Sequence, residues 1–366
     1  MKSPQIEEKI YQIFDYVKKE KINFDEDKPD KKLSDSTLKT YQDTVLTYNR
    51  WLEDKYNISI DKAKPKHAYE YLQIKIDAYK SGEGSAFTVK KFPHALHAIF
   101  ACSKDSGAFD YVVKAGDKRQ MLEMAREQGV FRKAAESHSL KANHEDWLKV
   151  QNTLATQKTH YKDYILNVHE AQHQLGLRVH EAVKMQKKDI DFKNGILTVK
   201  GKGGLVRKVP IHDKDYLKKL EGLCKGKKNG ADVFRVQNKK GNPPSKAYKQ
   251  QVVQEAIKKA AIDSGVNRDG KTYTTHSARK AYAQERVNEL KKMSEKDMEK
   301  YFEKVCKKNA AVRNGKKRLL TNIRKKFKNK KRAKLRELTK KEMILFLVSC
   351  EIGHFRLDVM RYYCEY

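Results

Sequence analysis

One stretch of the chain departs from helical periodicity, and it limits the fold more than any other feature. Residues 196–212, ILTVKGKGGLVRKVPIH, contain two runs of β-favouring residues separated by a Gly-Lys-Gly-Gly turn. This pattern predicts a β-hairpin. The segments on either side carry apolar residues at helical spacings of three and four. The sequence therefore predicts a mostly α-helical protein with a small antiparallel β-sheet in its C-terminal domain.

The N-terminal part has only helical signals. Ser34 or Ser36 can cap a helix whose apolar stripe recurs every three or four residues, and the stripe consists of Leu38, Tyr41, Val45, Tyr48 and Leu52. We expect an all-helical domain over residues 33–140, with this stripe in its core rather than serving as a base-stacking platform. A helical extension over residues 1–32 is expected to precede it.

Composition then divides the rest of the chain. Weak periodicity with Gly, Ser, His and charged residues predicts a linker over 127–145. A chain of 366 residues exceeds the usual size of a single core, so residues 141–366 are expected to form a second domain of mixed structure. Within it, a basic insertion is expected near residues 291–341.

The charge balance points to a polyanionic partner. Lys and Arg number 80 against 47 acidic residues, a net charge of +33, and nucleic acid is the commonest polyanion that neutralises such a field. No apolar run approaches the roughly twenty residues of a membrane span. Five scattered cysteines without a CxxC pair are typical of reduced thiols. These features predict a cytoplasmic, nucleoid-associated protein that does not enter membranes.

The basic insertion concentrates this charge. Between Lys307 and Lys341, 17 of 35 residues are Lys or Arg, and a solvated helix or a DNA-backbone contact would both explain them. We favour DNA contact, because the net charge is already so high. The residues expected to bind DNA are Lys307, Lys308, Arg313, Lys316, Lys317, Arg318, Arg324, Lys325 and Lys326.

Five short motifs follow one another in the second domain: LGLRVHEA, VKGKGG, THSARKAYAQ, EIGHF and DVMRYYCEY. Each is weak alone, but the ordered set is specific. It supplies the groups that phosphodiester transfer without a metal or cofactor requires. Guanidinium and imidazole groups stabilise charge on the phosphate, a tyrosine attacks, and a lysine protonates the leaving oxygen.

This order of Arg, hairpin Lys, His-x-x-Arg, Gly-His and Tyr resembles the tyrosine recombinase (phage integrase) family, whose members include integrases of mobile genetic elements. The likeness covers about residues 33–363, including STLKTYQDTVLTYNRWL, which is similar to the first helix of the family's core-binding clamp domain. The resemblance implies DNA strand breakage and rejoining through a 3'-phosphotyrosyl intermediate. It also implies binding of a specific double-stranded DNA site, with a homotetramer acting on two sites.

The resemblance also implies a role for each matching residue. Arg178 and Arg279 would hold the scissile phosphate, with Glu181 orienting the arginine. His354 would donate a hydrogen bond to the same phosphate. The remaining groups would move protons and attack, with Lys202 as general acid, His276 assisting proton transfer and Tyr363 as nucleophile.

Helical spacing favours Tyr363 over its neighbours. We expect one helix from about Leu357 to carry Tyr362, Tyr363 and Tyr366, so adjacent tyrosines point about 100° apart. Tyr363 also has the spacing from His354 that the family shows, whereas Tyr366 lies where fraying would misplace it.

The sequence departs from the family in three respects. Arg279 and His354 lie 75 residues apart, about three times the usual separation, and the excess coincides with the basic insertion. Only three residues follow Tyr363, so either the family's usual exchange of C-terminal tails between subunits does not occur here or the sequence is trimmed at this end. The extension before Leu33 has no assigned role, and a second DNA-binding or partner-binding helix would explain it.

Three other functions would explain part of this sequence. A DNA-binding protein without catalysis explains the charge but not the ordered motifs. A type IB topoisomerase shares the chemistry. A zinc metalloprotease is suggested by HEAQH at residues 169–173, an HExxH pattern with His169 and His173 one helical turn apart and Glu170 as base. We discount it, because a five-residue match with two free positions often arises by chance.

Overall fold

The computed structural model describes residues 4–24, 33–114, 116–130, 139–201, 204–268, 270–325 and 336–366. The chain divides into two compact units, Met1–Glu136 and Ser137–Tyr366. Much of the linker predicted over 127–145 falls on residues 131–138, outside the described ranges. None of the helices in these ranges is long and apolar enough to cross a membrane.

The described part of the first unit is helical. Ser34 caps the second helix by accepting a hydrogen bond from the backbone N–H of Thr37 at 3.2 Å. The predicted stripe does face the core: Leu38, Val45, Tyr48 and Leu52 are buried, and Tyr41 packs beside them. The helices are α1 (Pro4–Lys19), α2 (Asp35–Tyr56), α3 (Pro65–Lys80), α4 (Ala86–Cys102) and α5 (Lys118–Glu127).

Helix α1 lies in the N-terminal helical extension expected over residues 1–32, and it packs into this first unit. Ile10, Ile13 and Val17 are buried in the same apolar cluster as α2 and α4. Arg50 of α2 also donates to the Glu7 carboxylate of α1 at 3.0 Å. The apolar face of α1 is buried against α2 and α4, which remove it from water.

The second unit is mixed, and the predicted fold class of mostly α with a small antiparallel sheet is confirmed. Its described helices are α6 (His144–Thr156), α7 (Lys162–Gln174), α8 (Val179–Val183), α9 (Lys214–Cys224), α10 (Lys246–Asp263), α11 (Thr275–Lys291), α12 (Glu295–Lys308), α13 (Ala310–Arg324) and α14 (Lys340–Glu351).

The predicted hairpin is part of a three-stranded antiparallel sheet. Its strands are β1 (Ile190–Asp191), β2 (Ile196–Lys200) and β3 (Val206–Pro210), and Val199 pairs with Arg207 in the register of β2 and β3. A separate two-stranded ribbon consists of β4 (Asn267–Arg268) and β5 (Lys271–Thr272).

Helices α12 and α13 lie where the basic insertion near 291–341 was expected. They are not solvated on every side, because Met298, Phe302 and Val312 are buried in the cluster that also contains Phe346 of α14. The remaining face of the pair carries the lysines and arginines. Because the apolar side of each helix packs on the core, the charged side faces away from it.

Candidate active site

The hydroxyl group of Tyr363 is the centre of a cluster in the second unit. Its oxygen lies 2.8 Å from Nε2 of His276 and 2.8 Å from Nε2 of His354. The tyrosine side chain is buried, and both imidazole rings pack against its ring. Because a phenol has one proton, it donates to one imidazole and accepts from the other.

Both imidazoles are neutral at physiological pH. Burial and the nearby charge of Arg279 lower the pKa of His276 to about 3 and the pKa of His354 to about 3. A neutral imidazole can offer a lone pair or an N–H, depending on its tautomer. The pair can therefore accept the tyrosine proton on one side while donating a hydrogen bond on the other.

The α-helix expected from about Leu357 to Tyr366 was wrong. Only a single 3-10 turn, Met360–Tyr362, precedes Tyr363. The last turn-type backbone hydrogen bond runs from the Cys364 N–H to the Met360 oxygen at 3.0 Å, and the residues after it are held by other contacts. The backbone N–H of Glu365 donates to Gln284 Oε1 at 2.7 Å, and the ammonium groups of Lys291 and Lys341 lie 4.3 and 4.6 Å from the centroid of the Tyr366 ring. Tyr363 is thus oriented by its partners rather than by helical phase.

Helix α11 delivers His276 and Arg279 on one face, as their spacing predicted. The Arg279 guanidinium is completely buried and donates to the backbone oxygens of Gly176 (2.7 Å) and Ile352. Its central carbon lies 5.7 Å from the centroid of the Tyr363 ring. Burial lowers the pKa of Arg279 to about 10, so the group keeps its positive charge at neutral pH.

Arg178 is the N-cap residue of α8, and Glu181 is one turn further on. A carboxylate oxygen of Glu181 accepts from the Arg178 backbone N–H at 2.8 Å, while the other oxygen accepts from the Arg178 guanidinium at 3.1 Å. About a quarter of the Arg178 side chain remains exposed, whereas that of Glu181 is fully buried. Arg178 can therefore reach a ligand while Glu181 fixes its direction.

Arg207 is a further member of the site that the sequence reasoning missed. Its guanidinium donates to both oxygens of Glu181, at 2.8 and 2.7 Å, and its Nε donates to the backbone oxygen of Glu351 at 2.9 Å. A Cβ at Gly353 would lie 3.1 Å from the Arg207 side chain, and the φ of +72° at this position also favours glycine. Strand alternation was an available signal, because Arg207 shares the buried face of β3 with Val209.

Three guanidiniums thus surround one carboxylate. Arg279 completes the set at 3.6 Å from Glu181. Although burial alone would raise it, the hydrogen bonds and charge of Arg207 with the charge of Arg279 lower the pKa of Glu181 to about 2. Three positive groups and one negative group leave an excess of positive charge beside the Tyr363 hydroxyl. Such an excess suits a bound phosphate.

Two of the predicted site residues, Lys202 and Lys326, lie outside the described residues. Strands β2 and β3 flank Lys202 on both sides. The other predicted DNA contacts fall into two groups. Lys316 and Arg324 are half-buried and pair with Glu303 (2.5 Å) and Glu337 (3.1 Å). The exposed group comprises Lys307, Lys308, Arg313, Lys317, Arg318 and Lys325.

The HExxH pattern does not form a shared metal site. Both ring nitrogens of His169 are engaged, one with Gln151 at 2.6 Å and the other with the Tyr273 hydroxyl at 2.9 Å. Glu170 pairs with Lys219 at 2.5 Å instead of facing a metal position. His173 donates elsewhere, to Glu285 at 3.1 Å. The geometry gives no support to the metalloprotease alternative.

Comparisons with known proteins find both a sequence family and solved structures that resemble this chain. Residues 141–290 match the phage integrase family. No curated protein sequence matches the chain. The XerH site-specific recombinase bound to its palindromic difH substrate, in a post-cleavage complex, is a structural match with a TM-score of 0.52 and 15% identity, covering 99% of this chain and 93% of XerH. A lambda integrase (75–356) dimer bound to a COC' core site matches with a TM-score of 0.47 and 17% sequence identity, and the match covers 75% of this chain and 87% of the lambda integrase chain.

The family match identifies residues 141–290, within the second unit, as a phage integrase domain, the kind of domain with which tyrosine recombinases break and rejoin DNA. The chain accordingly contains a tyrosine recombinase domain, and this match supports a site-specific recombinase.

Proposed function

We propose that this recombinase cuts and rejoins double-stranded DNA at a specific site with Tyr363 as the nucleophile. The observation that carries the proposal is the Tyr363 hydroxyl, held at 2.8 Å from two neutral imidazoles and beside the buried cation Arg279. A phenol in this setting has a proton acceptor and an adjacent positive field. Both favour attack on a phosphodiester.

In the proposed cleavage step, the Tyr363 oxygen forms a bond to the scissile phosphorus and its proton passes to His276. The bond between phosphorus and the 5'-oxygen of the next nucleotide breaks. That oxygen takes a proton from Lys202 on the hairpin, and a 3'-phosphotyrosyl link remains. Rejoining reverses these transfers with a different 5'-hydroxyl group. No cofactor is needed, because the link conserves the phosphodiester energy.

The arginines supply the charge that this transition state requires. Arg178, which is partly exposed, and Arg279 would bind the non-bridging oxygens, and Glu181 with Arg207 would hold Arg178 in place. His354, which contacts the Tyr363 hydroxyl in the structure, would turn its N–H to the phosphate once DNA is bound. This role for His354 is compatible with its neutral state.

We also propose DNA and further copies of this chain as partners. The first unit would clamp DNA together with the second, and the exposed cations of α12 and α13 would contact the backbone. Family resemblance supports a tetramer that acts on two DNA sites, and action on the chromosome would place the protein at the nucleoid of the cytoplasm.

A nicked suicide substrate tests the proposal, because the short fragment released on cleavage diffuses away and traps the covalent link. We expect wild-type protein to give a protein–DNA adduct that survives denaturation. Tyr363→Phe should abolish the adduct while DNA affinity stays near wild type, because only a hydroxyl is lost. Tyr362→Phe is the matched control and should retain it. An adduct mapped to Tyr362, or one formed by Tyr363→Phe, would contradict the assignment.

A further inference from the structure

Three metal-ligating side chains converge in the second unit where α6, α7 and α11 pack together, away from the Tyr363 hydroxyl. They are His144, His173 and Glu285, one from each helix, and their ligand atoms all lie within 4.8 Å of one another. A single oxygen of Glu285 lies 2.7 Å from Nδ1 of His144 and 3.1 Å from Nε2 of His173. The two nitrogens therefore face the same carboxylate.

These separations are close to those of a coordinated ion. Zinc bonds of about 2.0–2.1 Å in tetrahedral geometry place neighbouring ligand atoms about 3.3 Å apart. The two histidine–glutamate distances are about 0.6 and 0.2 Å shorter than this, and the two histidine nitrogens lie within 4.8 Å of each other. An ion would therefore require the Glu285 carboxylate to move slightly away from His144 and the three ligand atoms to close around the ion.

The surroundings hold the ligands in place. The His173 ring is buried and stacks on the Trp147 ring, with centroids 4.0 Å apart and planes within 9°. Its Nδ1 is buried without a hydrogen-bond partner among the described residues, so Nε2, the atom facing the cluster, makes the ring's only hydrogen bond there. His144 begins α6, where Asn143 and Asp146 form a capping box.

Charge also suits a cation at this position. Glu285 brings a carboxylate to the two imidazoles, with one oxygen within 3.1 Å of both ring nitrogens. Two imidazole nitrogens with one carboxylate oxygen are ligands typical of zinc, whereas magnesium and calcium prefer oxygen alone.

We propose that His144, His173 and Glu285 bind one divalent transition-metal ion, best matched by Zn²⁺. The His144 side chain is 55% exposed and that of Glu285 38%, so a fourth position faces solvent and can hold water. This site is separate from the proposed cleavage chemistry, which uses no metal. It shares only His173 with the HExxH pattern.

The bound ion would act by joining helices. Helix α11 carries His276 and Arg279 near its beginning and Glu285 further along, so the metal would fix this helix to α6 and α7. Gln284, beside Glu285, also bonds to the backbone of Glu365 in both directions, at 3.1 and 2.7 Å. The expected consequence is a more stable second unit rather than a new reaction.

Calorimetric titration of chelator-stripped full-length protein with ZnCl₂, without DNA, tests the site. Wild type should bind one equivalent, and His144→Ala and Glu285→Gln should each lose at least about 10–100-fold in affinity. His160→Ala, which removes an exposed histidine elsewhere in the same unit, is the matched control and should bind like wild type. Because binding favours the folded state, free Zn²⁺ at 100 times Kd should lower the unfolding constant of wild type about 100-fold.

His144 is the deciding position, because its exposed side chain can be removed without opening the core. If wild type shows no saturable equivalent of Zn²⁺, or if His144→Ala binds as tightly as wild type, the proposal fails. Circular dichroism of each variant verifies that it is folded. Since no DNA is present, the outcome is independent of whether Tyr363 is the nucleophile.

Discussion

The second unit contains two groups of cations that are built in opposite ways. Around Glu181, the guanidiniums of Arg207 and Arg279 are buried, and each also donates to backbone carbonyl oxygens. On α12 and α13, cations such as Lys307 and Lys317 are exposed, and the core lies on the opposite face of the pair. Both groups use the same side-chain chemistry.

The buried cations hold a fixed geometry, whereas the exposed cations provide a general attraction for DNA. A buried guanidinium with fixed partners holds one geometry, and removing a partner leaves a charge that water cannot solvate. An exposed lysine adds to a field that salt screens within about 10 Å at 0.1 M. We therefore expect the first group to control the rate of cleavage and the second to control how tightly any DNA is held.

We expect the largest effect on stability and cleavage rate from substitution of Arg207, in the buried group. Arg207→Met removes two hydrogen bonds from buried Glu181, and breaking a buried pair costs about 3–5 kcal/mol of stability. Misplacement of Arg178 should then slow adduct formation at saturating DNA by about 100-fold, with little change in the Kd for DNA.

The control for Arg207 is Arg318→Met at an exposed position of α13, which should leave the rate at saturating DNA unchanged. Arg207→Lys should rescue poorly, because an ammonium cannot bind both carboxylate oxygens in the planar manner of a guanidinium. Equal losses of cleavage rate in the Arg207 and Arg318 variants would show that the buried and exposed cations do not differ in this role.

Acid should weaken the second unit through its buried histidines. The pKa values of His169, His276 and His354 are each lowered to about 3, mainly by burial, whereas the unfolded value is about 6.5. The folded unit then binds fewer protons than the unfolded chain. Its stability is complete above pH 6.5 and falls as pH decreases toward 3, by up to about 1.4 kcal/mol per pH unit for each histidine.

Denaturant unfolding at pH 7, 6 and 5 measures this slope. His354→Gln should reduce the slope by about 1.4 kcal/mol per pH unit, and the exposed control His160→Gln should not change it. A slope that is the same in all three proteins would mean that His354 is solvated in solution and titrates normally.

A smaller effect is expected from the exposed cations. Changing Lys307, Lys317 and Arg318 to Gln should weaken binding to all DNA sequences alike. The slope of log affinity against log salt should shrink by up to about 0.9 per lost contact. Lys316→Gln is the matched control, since its ammonium already pairs with Glu303. An unchanged slope in the triple variant would mean that this face does not contact DNA.

The smallest expected effect is that of a chelator. Arg178, Arg279 and Lys202 supply the positive charge that a metal-dependent nuclease takes from its ion, so cleavage should persist in EDTA. The measurement is best made in His144→Ala, where the proposed zinc site is already removed. Loss of adduct formation in EDTA in that variant, with recovery on adding zinc, would show that cleavage depends on another metal.

Much of this protein follows from short windows of sequence. Alternation and a glycine-rich turn determine the hairpin of β2 and β3, and Ser34 with the stripe through Leu38 and Leu52 determines α2. The spacing of His276 and Arg279 places both on one face of α11. These features depend on contacts between residues a few positions apart, and such contacts can be read without knowing the rest of the fold.

Only the tertiary structure decided which distant groups meet. Arg207 lies 26 positions from Glu181 and 144 positions from Glu351, yet it bonds to both. His173, part of the HExxH pattern, bonds to Glu285, which lies 112 positions away. The tail after Met360 follows its contacts with Gln284 and Lys291 instead of continuing a helix. Buried polar groups must find partners wherever packing places them, and that choice depends on the whole fold rather than on local sequence.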